Sequence, residues 1–154
     1  MPPPARVPLY TVAAPPLKAM LALTAAVRQS SLGERLVALL QLRVALADGC
    51  GVCADLHWRE LVKQGAAPRE LNAVAGWREA PFFCQRERAA LAWADAVNAL
   101  PQRDETDAAY ATVAQHFTPT EIVELSYTVA TIRAWNVLNL SLRNQIPEVP
   151  APGF

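Results

Sequence analysis

Apolar positions along this chain recur every three or four residues, and polar ones fill the gaps. That period is helical. Alternating β-branched runs and Gly–X turn pairs are nearly missing from the interior, which is rich in Ala, Leu, Glu, Arg and Gln. The pattern predicts seven helices. The first spans Pro16–Gln29, and "SSLG" breaks the chain after it. The second spans Gly33–Ala47, with Leu36, Leu39, Leu40, Val44 and Leu46 as a broad apolar face. Gly49 suits a left-handed cap at its end. The third begins at Cys50 and closes before Gly65. A short fourth opens at Pro68, and a fifth at Cys84. Cys84 stands three before Glu87, where a capping box has Ser or Thr. The sixth covers Asp104–His116. The seventh opens on the capping box Thr118-Pro119-Thr120-Glu121 and runs to Leu142, with a kink expected near Trp135. The fold class is all-α.

Of the 13 prolines, six lie in residues 2–16 and three in residues 147–152, so both ends read as extended, poorly helical arms. The length of 154 residues predicts one domain with a real core. Apolar residues make up 53%, which hints at oligomer contacts. Lys and Arg number 14, as do Asp and Glu, so net charge gives no reason to expect nucleic acid or an anionic membrane as partner. "LVALLQLRVALA" is interrupted by Gln41 and Arg43, and no run approaches a membrane span. The N-terminal residues carry no secretory pattern. The expected location is the cytoplasm, where thiols stay reduced and a close Cys pair points to catalysis or metal binding.

Such a pair is present. The chain has three cysteines and two histidines, and "DGCGVCADLHWRE" holds Cys50, Cys53 and His57 within eight residues. At helical spacing all three share one face. Cys50 falls in the first turn, where backbone N–H groups and the helix dipole favour a thiolate. His57 is placed to take a proton from Cys53. The natural chemistry is peroxide reduction or exchange with another disulfide. A structural zinc normally needs four Cys or His ligands, and Cys84 and His116 show no ligand spacing. The bland alternative is two small buried residues and a core histidine. Against it, a helix start after a Gly break should leave Cys50 partly exposed.

"LRVALADGCGVCADLHWRELVKQGA", "GWREAPFFCQRERAALAWADAV" and "HFTPTEIVELSYTVATIRAWNVLN" together resemble the alkylhydroperoxidase-like (AhpD-like) proteins of the carboxymuconolactone decarboxylase superfamily. The resemblance covers about residues 17–143, within one AhpD-like domain of six to seven helices. It implies a homo-oligomer, a hexamer or alternatively a trimer. It implies a thiol peroxidase with no metal or organic cofactor, acting on organic or hydrogen peroxide. Cys53 would attack the peroxide, Cys50 would resolve the sulfenic acid to a disulfide, and His57 would relay the proton. A dithiol donor, such as a lipoyl carrier protein or a thioredoxin-like protein, would restore the thiols.

The sequence also departs from that family. Fully equipped members carry a glutamate twelve residues before the first cysteine, where this chain has Ala38. Some carry a histidine before the second cysteine; here it is Val52. Glu34, one turn before Ala38, and Glu60, i+3 from His57, are the substitutes at hand for the relay. Cys84 reads as a small residue at a helix cap, with a reactive thiol as the alternative. Trp135 and Asn136 read as packing residues, and His116 as a partner of a helix C-terminus. Three other readings stand beside the peroxidase. They are a disulfide exchanger or oxidative-stress sensor, a lactone-handling decarboxylase, and a structural oligomer with a relic site.

Overall fold

The computed structural model describes residues 3–12 and 14–149. The outer ends of both proline-rich arms therefore lie outside the described residues. Among the described residues eight α-helices follow in order: α1 Leu9–Val12, α2 Ala14–Arg28, α3 Glu34–Asp48, α4 Gly51–Lys63, α5 Pro68–Asn72, α6 Gln85–Ala99, α7 Thr106–Val113 and α8 Pro119–Ser141. A 3₁₀ turn, Val74–Gly76, joins α5 to the loop before α6. Among the described residues there is no strand. The all-α expectation holds.

The arrangement follows from α3, which is apolar almost all round and therefore must be covered on every side. It packs against α4, α8 and α6. Leu39, Leu40, Leu42, Val44 and Ala45 are almost fully buried in these contacts. The expected apolar face is off at two positions. Leu46 is exposed, and Gln41 is 2% exposed. Gln41 sits three residues beyond Ala38 on the side that faces the cavities described below, so this inward polar residue lines space rather than packed core.

The helix ends match their sequence signals. Gly49 closes α3 at φ 75°, in the left-handed region that a side chain disfavours. Glu121 N–H donates to Thr118 Oγ1 at 3.3 Å, and Thr118 N–H donates to Glu121 Oε2 at 2.8 Å. Cys84 caps α6, and its N–H donates to the Glu87 carboxylate at 3.0 Å.

Four expectations need correction. The N-terminal arm is not wholly extended: it folds into α1, whose Leu9 is buried, and α2 starts at Ala14. Pro15 and Pro16 fit there because the first helical turn needs no N–H donors. α7 is shorter than expected and ends at Val113, so His116 lies in the turn beyond it. α8 is continuous through Trp135, without the expected break. The stretch after Pro68 divides into α5 and the 3₁₀ turn.

α8 ends in a Schellman motif. Arg143 takes φ 55°, Arg143 N–H reaches Leu140 O at 3.2 Å, and Asn144 N–H reaches Asn139 O at 2.9 Å. The motif folds the C-terminal arm back over the start of α4. There Ile146 packs so close that a Cβ on Gly51 would meet its Cδ1 at 3.4 Å. The two arms also tie together, through Arg6 N–H to Leu142 O at 2.8 Å and Gln145 Nε2 to Pro3 O at 2.6 Å.

Candidate active site

Cys50 is the N-cap of α4, with extended backbone at φ −82° and ψ 96°. Its sulfur accepts the Cys53 N–H at 3.4 Å, doing what a serine or aspartate does at other helix starts. The one-turn spacing then sets Cys53 directly above it. The two sulfurs lie 2.8 Å apart and share a hydrogen bond, with both cysteines reduced. A disulfide bond of about 2.05 Å needs less than one ångström of further approach. Cys50 is 1% exposed, against the expectation of a partly open helix start. Cys50 belongs to the buried core cluster, and the C-terminal arm lies beside its turn, with Ile146 against Gly51.

The electrostatics split the pair. The hydrogen bond from the Cys53 thiol brings Cys50 down to about 7, aided by the Cys53 and Val52 N–H groups and opposed by burial and Asp48. The same hydrogen bond pushes Cys53 upward, followed by burial and the charge on Cys50. The side-chain amide of Asn139 works the other way: its Nδ2 donates to Cys53 Sγ at 3.2 Å. The first proton lost by the pair therefore leaves the charge centred on Cys50.

Cys53 and His57 line a small cavity of about 80 Å³, together with Tyr10, Leu21, Thr24 and Trp135. Cys50 is not among its lining residues. Tyr10 comes from α1 and stacks on Trp135, with ring centroids 6.5 Å apart. Trp135 in turn donates its Nε1–H to Thr24 Oγ1 at 2.9 Å, fixing the indole between α8 and α2. Burial, then the two nearby thiols, raise the pKa of the Tyr10 hydroxyl. Sequence reading passed over Tyr10 because it sits in a proline-rich arm that looked unstructured.

His57 is deeply buried and its pKa falls to about 3, from desolvation first and the Arg28 charge second. The ring is neutral at neutral pH. Its Nδ1 lies 2.8 Å from Glu60 Oε2, and Glu60 also pairs with Arg28. A carboxylate there makes Nδ1 the protonated nitrogen and leaves the other as acceptor. Because Glu60 is shared with Arg28, its charge does not offset the burial of the imidazole. The expected orienting contact from Glu60 is thus present.

Arg28, Gln41 and Glu60 also line a second recess of about 420 Å³, together with Glu34, Ala38 and Lys63. These three side chains line both the cavity and the outer recess. Glu34 and Ala38 both line the outer recess and not the cavity, and Ala38 is buried there, where the carboxylate of equipped relatives was expected. Asn136 is not a mere packing residue: its Nδ2 donates to Asp48 Oδ2 at 2.8 Å, and Asn98 Nδ2 holds the other carboxylate oxygen at 2.8 Å. These bonds tie α8 and α6 to the turn that presents Cys50. Cys84 is exposed at the start of α6, and His116 is half-buried beyond α7; neither borders the cavity. Among the described residues no cluster of three or more His, Cys, Asp or Glu side chains is arranged to hold a metal ion.

Residues 15–96 match the family model of the carboxymuconolactone decarboxylase family, more than half of the chain. The chain belongs to the carboxymuconolactone decarboxylase family. The chain is 26% identical over 140 residues to the uncharacterized protein YdfG of Bacillus subtilis, covering 91% of this chain and 95% of YdfG. It is 30% identical to the uncharacterized protein YnjA of Escherichia coli over 82% of this chain and 66% of YnjA. The fold superimposes with a TM-score of 0.91, at 32% identity, on a protein of unknown function from Agrobacterium tumefaciens for which an antioxidant defence role as AhpD has been suggested. That match covers 95% of this chain and all of the other. An uncharacterized peroxidase-related protein from Silicibacter shares the fold at a TM-score of 0.77 and 17% identity, over 86% of this chain and 70% of its own. The family and the AhpD-like helical fold are therefore those the three sequence segments implied. Among the described residues no helix is long and apolar enough to cross a membrane.

Proposed function

We propose that this member of the carboxymuconolactone decarboxylase family is a thiol-dependent peroxidase working through a Cys50–Cys53 dithiol/disulfide cycle. The observation that carries the reading is the sulfur pair 2.8 Å apart, of which only Cys53 borders the small cavity that His57 also lines. The Cys53 thiolate attacks the outer oxygen of a hydroperoxide. The O–O bond breaks, the leaving alkoxide takes up a proton to become an alcohol, and Cys53 becomes a sulfenic acid. The Cys50 sulfur then displaces hydroxide from Cys53, giving a disulfide and water. A dithiol, as on a lipoyl carrier or a thioredoxin-like protein, supplies two electrons and two protons by thiol–disulfide exchange.

His57 relays protons rather than storing one. A ring whose pKa is held near 3 cannot rest as imidazolium at neutral pH. It can accept a proton at one nitrogen while passing the other to Glu60. Glu60 and Arg28 then face the outer recess, which leads to solvent past Glu34 and Lys63. Glu60 takes the relay place left vacant by Ala38, and Glu34 is at most a surface acceptor.

The test is turnover. Reduced protein mixed with an organic hydroperoxide and a dithiol should consume peroxide, and peroxide alone should yield the Cys50–Cys53 disulfide. Absence of both results would sink the reading. A second reading is favoured by the charge resting on Cys50 and by the missing carboxylate at position 38: a disulfide exchanger or stress sensor. It predicts rapid oxidation by a partner disulfide and slow oxidation by peroxide.

A further inference from the structure

The pair presents a conflict. The helix N-terminus draws charge to Cys50, while the sulfur that borders the cavity is Cys53. One side chain acts against that bias. Asn139 is 4% exposed on α8, and its Nδ2 donates to Cys53 Sγ at 3.2 Å. Its other end is held as well: Asn139 Oδ1 accepts Asn144 Nδ2 at 2.8 Å. That second contact is a product of the Schellman motif. The left-handed Arg143 and the Asn144 N–H to Asn139 O bond bring the two amides side by side. With the carbonyl end occupied, the NH₂ end faces the sulfur. A neutral thiol is a weak acceptor, whereas a thiolate is a strong one, so a fixed donor stabilises charge.

We infer that Asn139, aimed by Asn144, stabilises the minor form of the pair in which Cys53 carries the charge, and so lets the cavity-facing sulfur act as the nucleophile. The move is a proton transfer from Cys53 to Cys50 across their shared hydrogen bond, with no change in oxidation state. Asn139 touches the reacting sulfur directly. Asn144 acts through it and is a positioning residue. The inference rests on the dithiol reading above and adds the group that selects between its two sulfurs. Other titratable groups face Cys53 from every neighbouring element: Cys50 and Asp48 at the α3–α4 turn, Tyr10 from α1, Arg28 from α2, and His57 and Glu60 within α4. From α8 the cavity receives Ile132, Trp135 and Asn139, none of which titrates. A change at Asn139 thus alters one uncharged donor and leaves the charges in place.

The experiment is a thiolate titration by ultraviolet absorbance in full-length protein carrying Cys84→Ser. With Cys50→Ser added, only Cys53 titrates; with Cys53→Ser instead, only Cys50 does. Asn139→Leu should raise the Cys53 midpoint by about one pH unit or more, the size expected for loss of a hydrogen bond to a charged group. The Cys50 midpoint should move by clearly less. A general loosening of the site would shift both. A Cys53 midpoint that stays put or falls, in protein that still melts cooperatively, overturns the inference; a fall would mean the amide oxygen holds the thiol. Should Asn139→Leu not fold, Asn144→Ala frees the amide without removing it. It should raise the Cys53 midpoint by a smaller amount, and no rise overturns the inference. Peroxide turnover of the unmodified protein is a separate assay. A Cys53 shift without turnover leaves Asn139 standing and removes the peroxidase reading; turnover without a shift does the reverse.

Discussion

Cys53 carries the chemistry only if three neighbours cooperate: Cys50 at 2.8 Å, Asn139 at 3.2 Å and the neutral imidazole of His57. Cys53→Ser should therefore abolish peroxide consumption. Cys50→Ser should consume one equivalent and stop at the sulfenic acid, which a dimedone adduct detected by mass spectrometry would reveal. Because Cys50 sits at about 7, the rate of peroxide reaction should rise with pH through that value and then level off. A flat profile from pH 6 to 8 would mean that loss of the pair's first proton is not needed. His57 also sets an acid limit on stability. Its folded pKa of about 3 is below its ordinary 6.5, so unfolding takes up a proton between those values. The stabilisation is complete above about 6.5 and falls as pH drops, by up to about 1.4 kcal/mol per pH unit. Denaturant titrations of the unmodified protein and of His57→Gln should separate below pH 6 and run parallel above 7. At position 38, Ala38→Glu places a carboxylate in the recess that Arg28, Gln41 and Glu60 share with the cavity. It should raise kcat/KM for hydroperoxide about tenfold, a modest share of what general acid–base catalysis supplies, at some cost in stability.

Helix ends place these residues, and most of those ends were legible. Gly49 and the Thr118–Glu121 box act as the sequence indicated. Gly49→Ala should cost about 1 kcal/mol, because the φ of 75° is a strain for any Cβ even though nothing lies in its way. Thr118→Ala should cost about as much through the lost cap. Denaturant midpoints measure both. The end of α8 was harder to foresee, since Arg143 rather than glycine takes the left-handed position. Asn139 was passed over for a related reason. "IRAWNVLN" drew attention to Trp135 and Asn136, yet Asn139 follows at i+4 and i+3, on the same inward face. A polar residue recurring on the buried side of an apolar helix was the signal that pointed to it. Gln41 in α3 was the same kind of signal, and it lines both cavities.

At the scale of the whole molecule, the Cys50–Cys53–His57 stripe and the all-helical class followed from local periodicity. The cavity did not, because it depends on contacts between distant parts of the chain. Tyr10 meets Trp135 from 125 positions away, and Arg28 reaches Glu60 across two helices. Prolines told where regular helices stop and, at Pro16, close to where one opens; they misled over Leu9–Val12, which is helical inside the arm read as extended. The strap formed by α1 now has a consequence. Tyr10→Ala should open the cavity, and reduced Cys53 should then react several-fold faster with a small thiol reagent, with the melting temperature nearly unchanged. Equal rates would mean that Tyr10 does not guard the sulfur.

The most direct measurement is a single-turnover reaction. Fully reduced protein is given one equivalent of an organic hydroperoxide without any donor, then mapped by non-reducing peptide mass spectrometry. The account predicts one peroxide lost for each Cys50–Cys53 disulfide formed, with Cys84 still a thiol. Peroxide left unconsumed, with Cys50 and Cys53 both recovered as free thiols, would contradict it.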